Sequence, residues 1–301
     1  MKKLHFLLVL LKRIASSPTI NPIARKTFRR FSKNFSEDFL SRIPIVGEVE
    51  IDLNFDAENF LLFSDGDDHI ISRQYLSPRG FEKPSMNIFV QLAKNSKTVF
   101  DIGANTGIYS IASAINSPKS SVYSFEPVPK IFSRLNHNIK INSLENVQSQ
   151  NYLVANYDGV QSLHIPRSKD IVTSASAAAG FRESTEEIDV PALTLDSFIE
   201  SHQLSSVDLI KIDTESTEPS VLQGAMNTIE RMRPTILCEV LHGLTEAALH
   251  SCLDKFSYRY FWVTPEGLVE KQKIAGDPKY KSLNYLFVSP DKIDTIECFL
   301  A

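Results

Sequence analysis

Paired cysteines are missing from this chain of 301 residues: Cys238, Cys252 and Cys298 each stand alone. Three isolated thiols form neither a disulfide framework nor a zinc spacing, so the chain reads as one made for a reducing, cytoplasmic compartment. Long apolar runs are missing too. The stretch Leu4-His-Phe-Leu-Leu-Val-Leu-Leu11 has eight residues, whereas a membrane-spanning helix needs about twenty. A clear secretory cleavage site is absent, Ile14-Ala-Ser-Ser17 being a weak candidate. Positive charge is short overall: the net charge of −4 makes no case for nucleic acid. Internal repeats are absent as well. With 43% hydrophobic and 23% charged residues, what remains is an ordinary globular chain, long enough for one large α/β domain with additions or for two small ones.

The charge is unevenly spread. Residues 1–42 carry ten Lys/Arg against Glu37 and Asp38, so 10 − 2 gives +8 and leaves −12 for the rest. Lys2-Lys3 and Lys12-Arg13 flank the short apolar stretch. Two readings stand. One is an interfacial anchor on anionic lipid, a peripheral membrane contact through residues 1–30; the other is a helix packed on the domain with its cations solvated.

What is present is concentrated in Thr98-Val-Phe-Asp-Ile-Gly-Ala-Asn-Thr-Gly107 and Ser121-Val-Tyr-Ser-Phe-Glu-Pro127. A β-branched and aromatic run ends in an acid and two glycines, a helical pattern follows, and a second apolar run ends in Glu126. This is strand, glycine turn, helix, strand, acid: half of a nucleotide-binding α/β sheet. A dinucleotide fold wants Gly-x-Gly-x-x-Gly for a pyrophosphate, but the second and third positions here hold Asn105 and Ile108. That argues against a dehydrogenase. Asp101 at the mouth of the turn would repel a pyrophosphate and pair with an ammonium. S-adenosylmethionine has an ammonium, a carboxylate and a sulfonium, and no phosphate. Gly103 and Gly107 let the backbone approach it, the helix N-terminus suits its carboxylate, and Glu126 is placed for the ribose hydroxyls.

Along the chain, residues 43–76 alternate polar and apolar and suggest a small β-appendage. Strands are expected at 98–102, 121–125, 147–154, 208–213 and 235–240, with helices at 84–93, after Gly107, from Pro129, at 217–232 and at 245–256. Segment 155–207 holds a hairpin with strands near 160–165 and 187–192, and between them Thr173-Ser-Ala-Ser-Ala-Ala-Ala-Gly180 reads as a substrate lid. Strands near 258–264 and 284–289 close the chain. The expected fold is a class I methyltransferase, Rossmann-like α/β sheet of seven strands with an antiparallel last hairpin and a small N-terminal β/helical appendage. The expected organisation is a basic segment at 1–42, the appendage at 43–80 and the main domain at 81–301.

Four further blocks sharpen this: Leu193-Thr-Leu-Asp-Ser-Phe198, Ile210-Lys-Ile-Asp-Thr-Glu-Ser-Thr-Glu218, Val221-Leu-Gln-Gly224 and Arg233-Pro-Thr-Ile-Leu-Cys-Glu239. With the two earlier ones, in this order, they resemble the FkbM family of S-adenosylmethionine-dependent methyltransferases over roughly residues 80–290. The resemblance implies O-methylation of a hydroxyl on a sugar, glycan or polyketide-like small molecule, with no nucleic-acid partner. The chain departs from the family pattern at Thr214 and at Ser216, the latter in place of a glycine, which puts the acceptor wall in question. An inactive S-adenosylmethionine-binding module in an assembly is the alternative.

The expected cofactor residues are Asp101, Gly103, Asn105, Gly107, Glu126, Pro127, Ala155 and Asp213. Methyl transfer to a hydroxyl needs positioning and a base. Asp213 and Glu239 end neighbouring strands, and His242 follows on a loop, histidine being a residue type suited to proton abstraction near neutrality; His242, aided by Asp213, is the expected base and Glu239 the next candidate. A divalent metal on Asp213, Glu215 and Glu239 is not expected, because the order of these acids matches no established ligand spacing. Lys211 is expected to face away from Asp213, as packing or surface.

Overall fold

A computed structural model of the protein describes residues 21–166 and 185–301. The stretch Thr173–Gly180, expected as a lid, and the apolar stretch Leu4–Leu11 lie outside the described residues. The N-terminal part begins with helices Asn21–Phe31 (α1) and Glu37–Ser41 (α2). Strands Val46–Ile51 (β1) and Phe60–Asp65 (β2) pair antiparallel, with Val46 opposite Asp65 and Ile51 opposite Phe60. Their alternation puts Val49, Ile51, Phe60 and Leu62 inside. Asp68 caps helix His69–Leu76 (α3) by accepting from Ile71 N at 3.0 Å, and helix Lys83–Ala93 (α4) leads into the main sheet.

That sheet is built from Thr98–Ile102 (β3), Ser121–Phe125 (β4), Val147–Gln150 (β5), Leu209–Ile212 (β9), Thr235–Glu239 (β10), Arg259–Thr264 (β11), Gly267–Lys271 (β12) and Asn284–Val288 (β13). Its order is β12-β11-β13-β10-β9-β3-β4-β5. Strands β3, β4, β5, β9 and β10 run parallel, and β13 enters antiparallel between β10 and β11. Every residue of β3, β9, β10 and β13 is buried, as parallel central strands covered on both faces must be. Helices Ile108–Asn116 (α5) and Pro129–Ile141 (α6) follow β3 and β4. The strand order reverses around β3, which opens a crevice at the carboxyl ends of β3, β4 and β9. This is the class I methyltransferase arrangement, with one strand more than the seven expected, because β12 adds to the outer edge of β11.

Two elements differ from expectation. The third strand divides into β5 and Leu153–Val154 (β6), because the Asn151 side chain turns inward and donates to the carbonyls of Glu126 (2.8 Å) and Pro127 (3.0 Å). Strand β6 joins a separate three-stranded sheet with Gly159–Pro166 (β7) and Thr185–Leu193 (β8). The helix expected over 217–232 is two helices, Glu218–Gln223 (α8) and Met226–Met232 (α9). Asp196, in helix Leu195–Ser201 (α7), caps α9 from outside by accepting from Asn227 N and Thr228 N, both at 2.9 Å.

The N-terminal hairpin is bound to the rest. Asn138 on α6 and Asn142, the residue that caps its C-terminus, accept from the Phe63 and Leu61 amides of β2, each at 2.8 Å. Arg134, one turn earlier, donates to Asp65 at 2.7 Å and to Asp67 at 3.2 Å. The apolar residues of β1, β2 and α3 share one core with α4, α5 and the sheet.

Candidate active site

A cleft opens at the carboxyl edge of the sheet. Its floor is the glycine turn after β3, its far wall is Phe125, Glu126 and Pro127 after β4, and its near wall is Asp213, Thr214 and Glu215 after β9. Ile131, Leu153, Val154 and Leu163 give it an apolar side, and Ile70 of α3 joins them from the N-terminal part.

Gly103 is fixed by geometry. Its φ is +77° and a Cβ there would stand 1.9 Å from the Asp213 carbonyl oxygen, so no side chain fits where β3 and β9 end side by side. Asn105, also left-handed at φ 51°, gives its backbone N–H to Glu126 Oε2 at 3.0 Å. Glu126 Oε1 accepts from Val128 N at 2.9 Å. Each carboxylate oxygen thus retains a lone pair for a further donor. Burial pushes the Glu126 carboxyl up to about 7, against the pull of these two N–H groups.

Beneath the glycine turn runs a polar stripe. Ser124, Asp101 and Lys211 lie side by side on β4, β3 and β9. Ser124 Oγ donates to Ser110 Oγ (2.7 Å), which donates to Asp101 Oδ2 (2.6 Å). Asp101 is therefore under α5, 1% exposed, and does not line the cleft, contrary to its expected place as the ammonium anchor. Lys211 corrects a second expectation. Residues two apart on a strand share a face, so Lys211 and Asp213 point the same way. Lys211 Nζ donates to Asp213 Oδ2 at 3.0 Å and lies 4.6 Å from the Tyr109 ring centroid. Burial alone would lower its pKa, but Asp213, Asp101 and Glu82 outweigh that and hold it above its ordinary value.

Around Lys211 stand several acids. Glu82, left-handed at the start of α4, accepts from Tyr109 Oη at 2.9 Å. Glu239 ends β10 opposite Asn284. Burial first, then Asp213, Glu215, Glu218 and Glu82, push Glu239 up to about 11, so it holds its proton at neutral pH. Glu239 Oε2 and Asp101 Oδ1 are buried without a hydrogen-bond partner. Among the described residues no three His, Cys, Asp or Glu side chains converge as a metal site.

The other expected residues lie apart. Gly107 caps α5, and a Cβ on it would strike Leu135. Ala155, expected among the cofactor residues, is buried, donating to Leu193 O at 2.9 Å, while its own carbonyl packs on Gly224; Tyr152 to Val154 line the cleft instead. His242 does not line the cleft either. Its ring is half-exposed, with Nδ1 3.1 Å from the Gly276 carbonyl and 3.6 Å from Glu246 Oε1, because the connection before β13 folds over it. Gly103, Asn105, Glu126, Pro127 and Asp213 are brought together; Asp101, Gly107, Ala155, Glu239 and His242 are not lining residues. Sequence reasoning missed Lys211, Glu82 and Tyr109. Strand period would have found Lys211; the other two meet it only through packing.

The family model described as the methyltransferase FkbM domain matches residues 101–260. "Methyltransferase 1" of Beauveria bassiana is 25% identical over 142 residues, 42% of this chain and 57% of that protein. "Hexuronic acid methyltransferase AglP" of Haloferax volcanii is 25% identical over 158 residues, 52% of this chain and 61% of that protein. The chain spans less than two thirds of the length of these curated relatives. A solved methyltransferase FkbM from Methylobacillus flagellatus has 16% identity and a TM-score of 0.43, over 64% of this chain and 44% of that one. An O-methyltransferase from Bacillus cereus in complex with SAH has 13% identity and a TM-score of 0.39, over 68% and 80%.

Proposed function

The chain belongs to the methyltransferase FkbM domain family, and from that premise we propose that it is an S-adenosylmethionine-dependent O-methyltransferase acting on a hydroxyl of a sugar, glycan or polyketide-like small molecule. The observation that carries the reading is the cleft itself: Gly103, Glu126 and the Lys211-paired Asp213 face one space at the carboxyl edge. Bound S-adenosylmethionine supplies a methyl group on a sulfonium, with a neutral thioether as leaving group. The residues present suit it. Glu126 has a lone pair on each oxygen for a ribose hydroxyl, Phe125, Ile131 and Leu163 offer an apolar wall to a base, and the acids around Lys211 favour a bound positive charge. A sugar-type acceptor is supported by the hexuronic acid methyltransferase among the relatives.

Asp213 is the group we assign to taking the acceptor proton. It lines the cleft, its side chain is a quarter exposed, and Lys211 orients it from below. Glu239, buried behind the cleft and holding its proton, is not assigned as a base. His242 is left outside the mechanism. The test is transfer of label from methyl-labelled S-adenosylmethionine to hydroxylated small molecules and glycans. Asp213→Asn should lower kcat by about 10²–10⁴-fold while the folded variant still binds cofactor. Glu239→Gln and His242→Ala should each keep turnover within about tenfold. A collapse in His242→Ala with Asp213→Asn active would reverse the assignment. Cofactor binding without transfer to any hydroxyl would leave only a cofactor-binding module.

A further inference from the structure

The basic helix α1 is not used by any of this chemistry. Residues 21–34 include Arg25, Lys26, Arg29, Arg30 and Lys33 and no carboxylate. One side of α1 is fastened to the protein. Asn21 donates to the Pro44 carbonyl at 2.8 Å and accepts from Val46 N at 3.0 Å. The Arg25 and Arg29 guanidinium groups lie 5.7 and 5.0 Å from the Tyr75 ring centroid on α3, and Phe28 packs against the core. At the helical period the opposite side presents Ile23, Lys26, Thr27, Arg30 and Phe31 together. Ile23 is 71% exposed and Phe31 51%.

Ordinary solvated surfaces mix charges of both signs and expose few large apolar side chains. Here cations of one sign alternate with exposed Ile and Phe on a helix that is held rigidly from behind. A groove beside it is lined by Arg25, Lys26, Arg29 and Arg30, with Glu50 as its one acid. Among the described residues no ion pair neutralises Lys26, Arg29 or Arg30. We propose that the outer face of α1 docks on an anionic lipid bilayer, its cations on the headgroups and Ile23 and Phe31 in the interfacial layer. A free phosphate or soluble polyanion would engage the cations and leave the two apolar side chains without a role; a bilayer uses both.

The test is flotation of the full chain with phosphatidylcholine vesicles, with and without one third phosphatidylglycerol. Wild type should partition onto the anionic vesicles only, less so as salt rises. Lys26, Arg30 and Lys33 are exposed, so their joint change to Glu should preserve far-UV dichroism and weaken partition by about a hundredfold, at roughly fivefold per cation. Ile23→Ser with Phe31→Ser should weaken it independently, by about tenfold or more, at unchanged charge. Equal partition of wild type and the charge variant would overturn the proposal, as would binding to neutral vesicles to the same extent. Binding insensitive to the serine changes would overturn it too, by identifying a polyanion site rather than a bilayer surface.

Discussion

Glu126 shows how one residue can be costly to the fold and useful to the site. Burial raises its carboxyl to about 7, so near neutrality about half of the ligand-free protein holds a proton there. A ribose hydroxyl donates best to the ionised form. Cofactor binding must then release that proton, and affinity should rise as pH climbs through the folded value. For a group titrating near 7, the ionised fraction changes about tenfold between pH 6 and pH 8. Titration calorimetry in two buffers of different ionisation enthalpy should show both the rise and the proton release. Glu126→Gln should lose the pH dependence and bind more weakly by about 1.5–3 kcal/mol, the range for hydrogen bonds to a charged group. An unchanged affinity, or a pH slope that survives in the variant, would remove Glu126 from the cofactor site. The acid ending β4 was legible in the sequence because strand and glycine turn fix its address. Its protonation was not, since that depends on the walls that bury it.

Among the elements, the turn from β9 to α8 carries the departure from the family pattern. Ser216 has φ 81° and Glu215 φ 54°, the left-handed region that glycine enters freely and other residues enter at a cost of about 1–2 kcal/mol. Glu218 holds the turn. It is fully buried, and Oε1 accepts from Thr214 N at 3.0 Å, Thr214 Oγ1 at 3.2 Å and Ser216 N at 3.1 Å. The serine is thus tolerated because three donors fix the conformation from one carboxylate. Ser216→Gly should relieve the strain and raise stability by about 1 kcal/mol, a rise of about 2–4 °C in Tm; a fall in Tm would show that the hydroxyl does more than occupy the position. The element boundaries follow the same logic. The buried central strands were legible as continuous apolar runs, and Pro129 marked the start of α6. The breaks within 147–154 and 217–232 were not, because Asn151 and Asp196 act on backbone distant in sequence. His242 was misplaced for a similar reason: its loop position is local, but the segment that covers it arrives more than thirty residues later.

At the scale of the whole molecule, the N-terminal hairpin and the methyltransferase sheet behave as one packed body. A two-stranded ribbon is marginal by itself in water, and here β2 has its outer edge satisfied by Asn138 and Asn142 of the helix that follows Glu126. Asp68, which caps α3, accepts from Thr106 Oγ1 at 2.9 Å, tying the hairpin's far end to the glycine turn. Leu62 is fully buried in the core common to both parts, whereas Trp262, the single tryptophan, lies on β11 at the other end of the sheet. Leu62→Ala should cost about 2–5 kcal/mol through lost burial and the cavity left behind. If the parts unfold together, the tryptophan fluorescence midpoint in urea must move by the same free energy as the far-UV dichroism, with both transitions coincident in wild type and variant. An appendage that folded separately would leave the Trp262 transition where it was and split the two probes. Coincidence would also explain why the cleft can draw Ile70 from one side of the chain and Glu126 from the other: both are held by the same cooperative core, so the site exists only when the whole of it is folded.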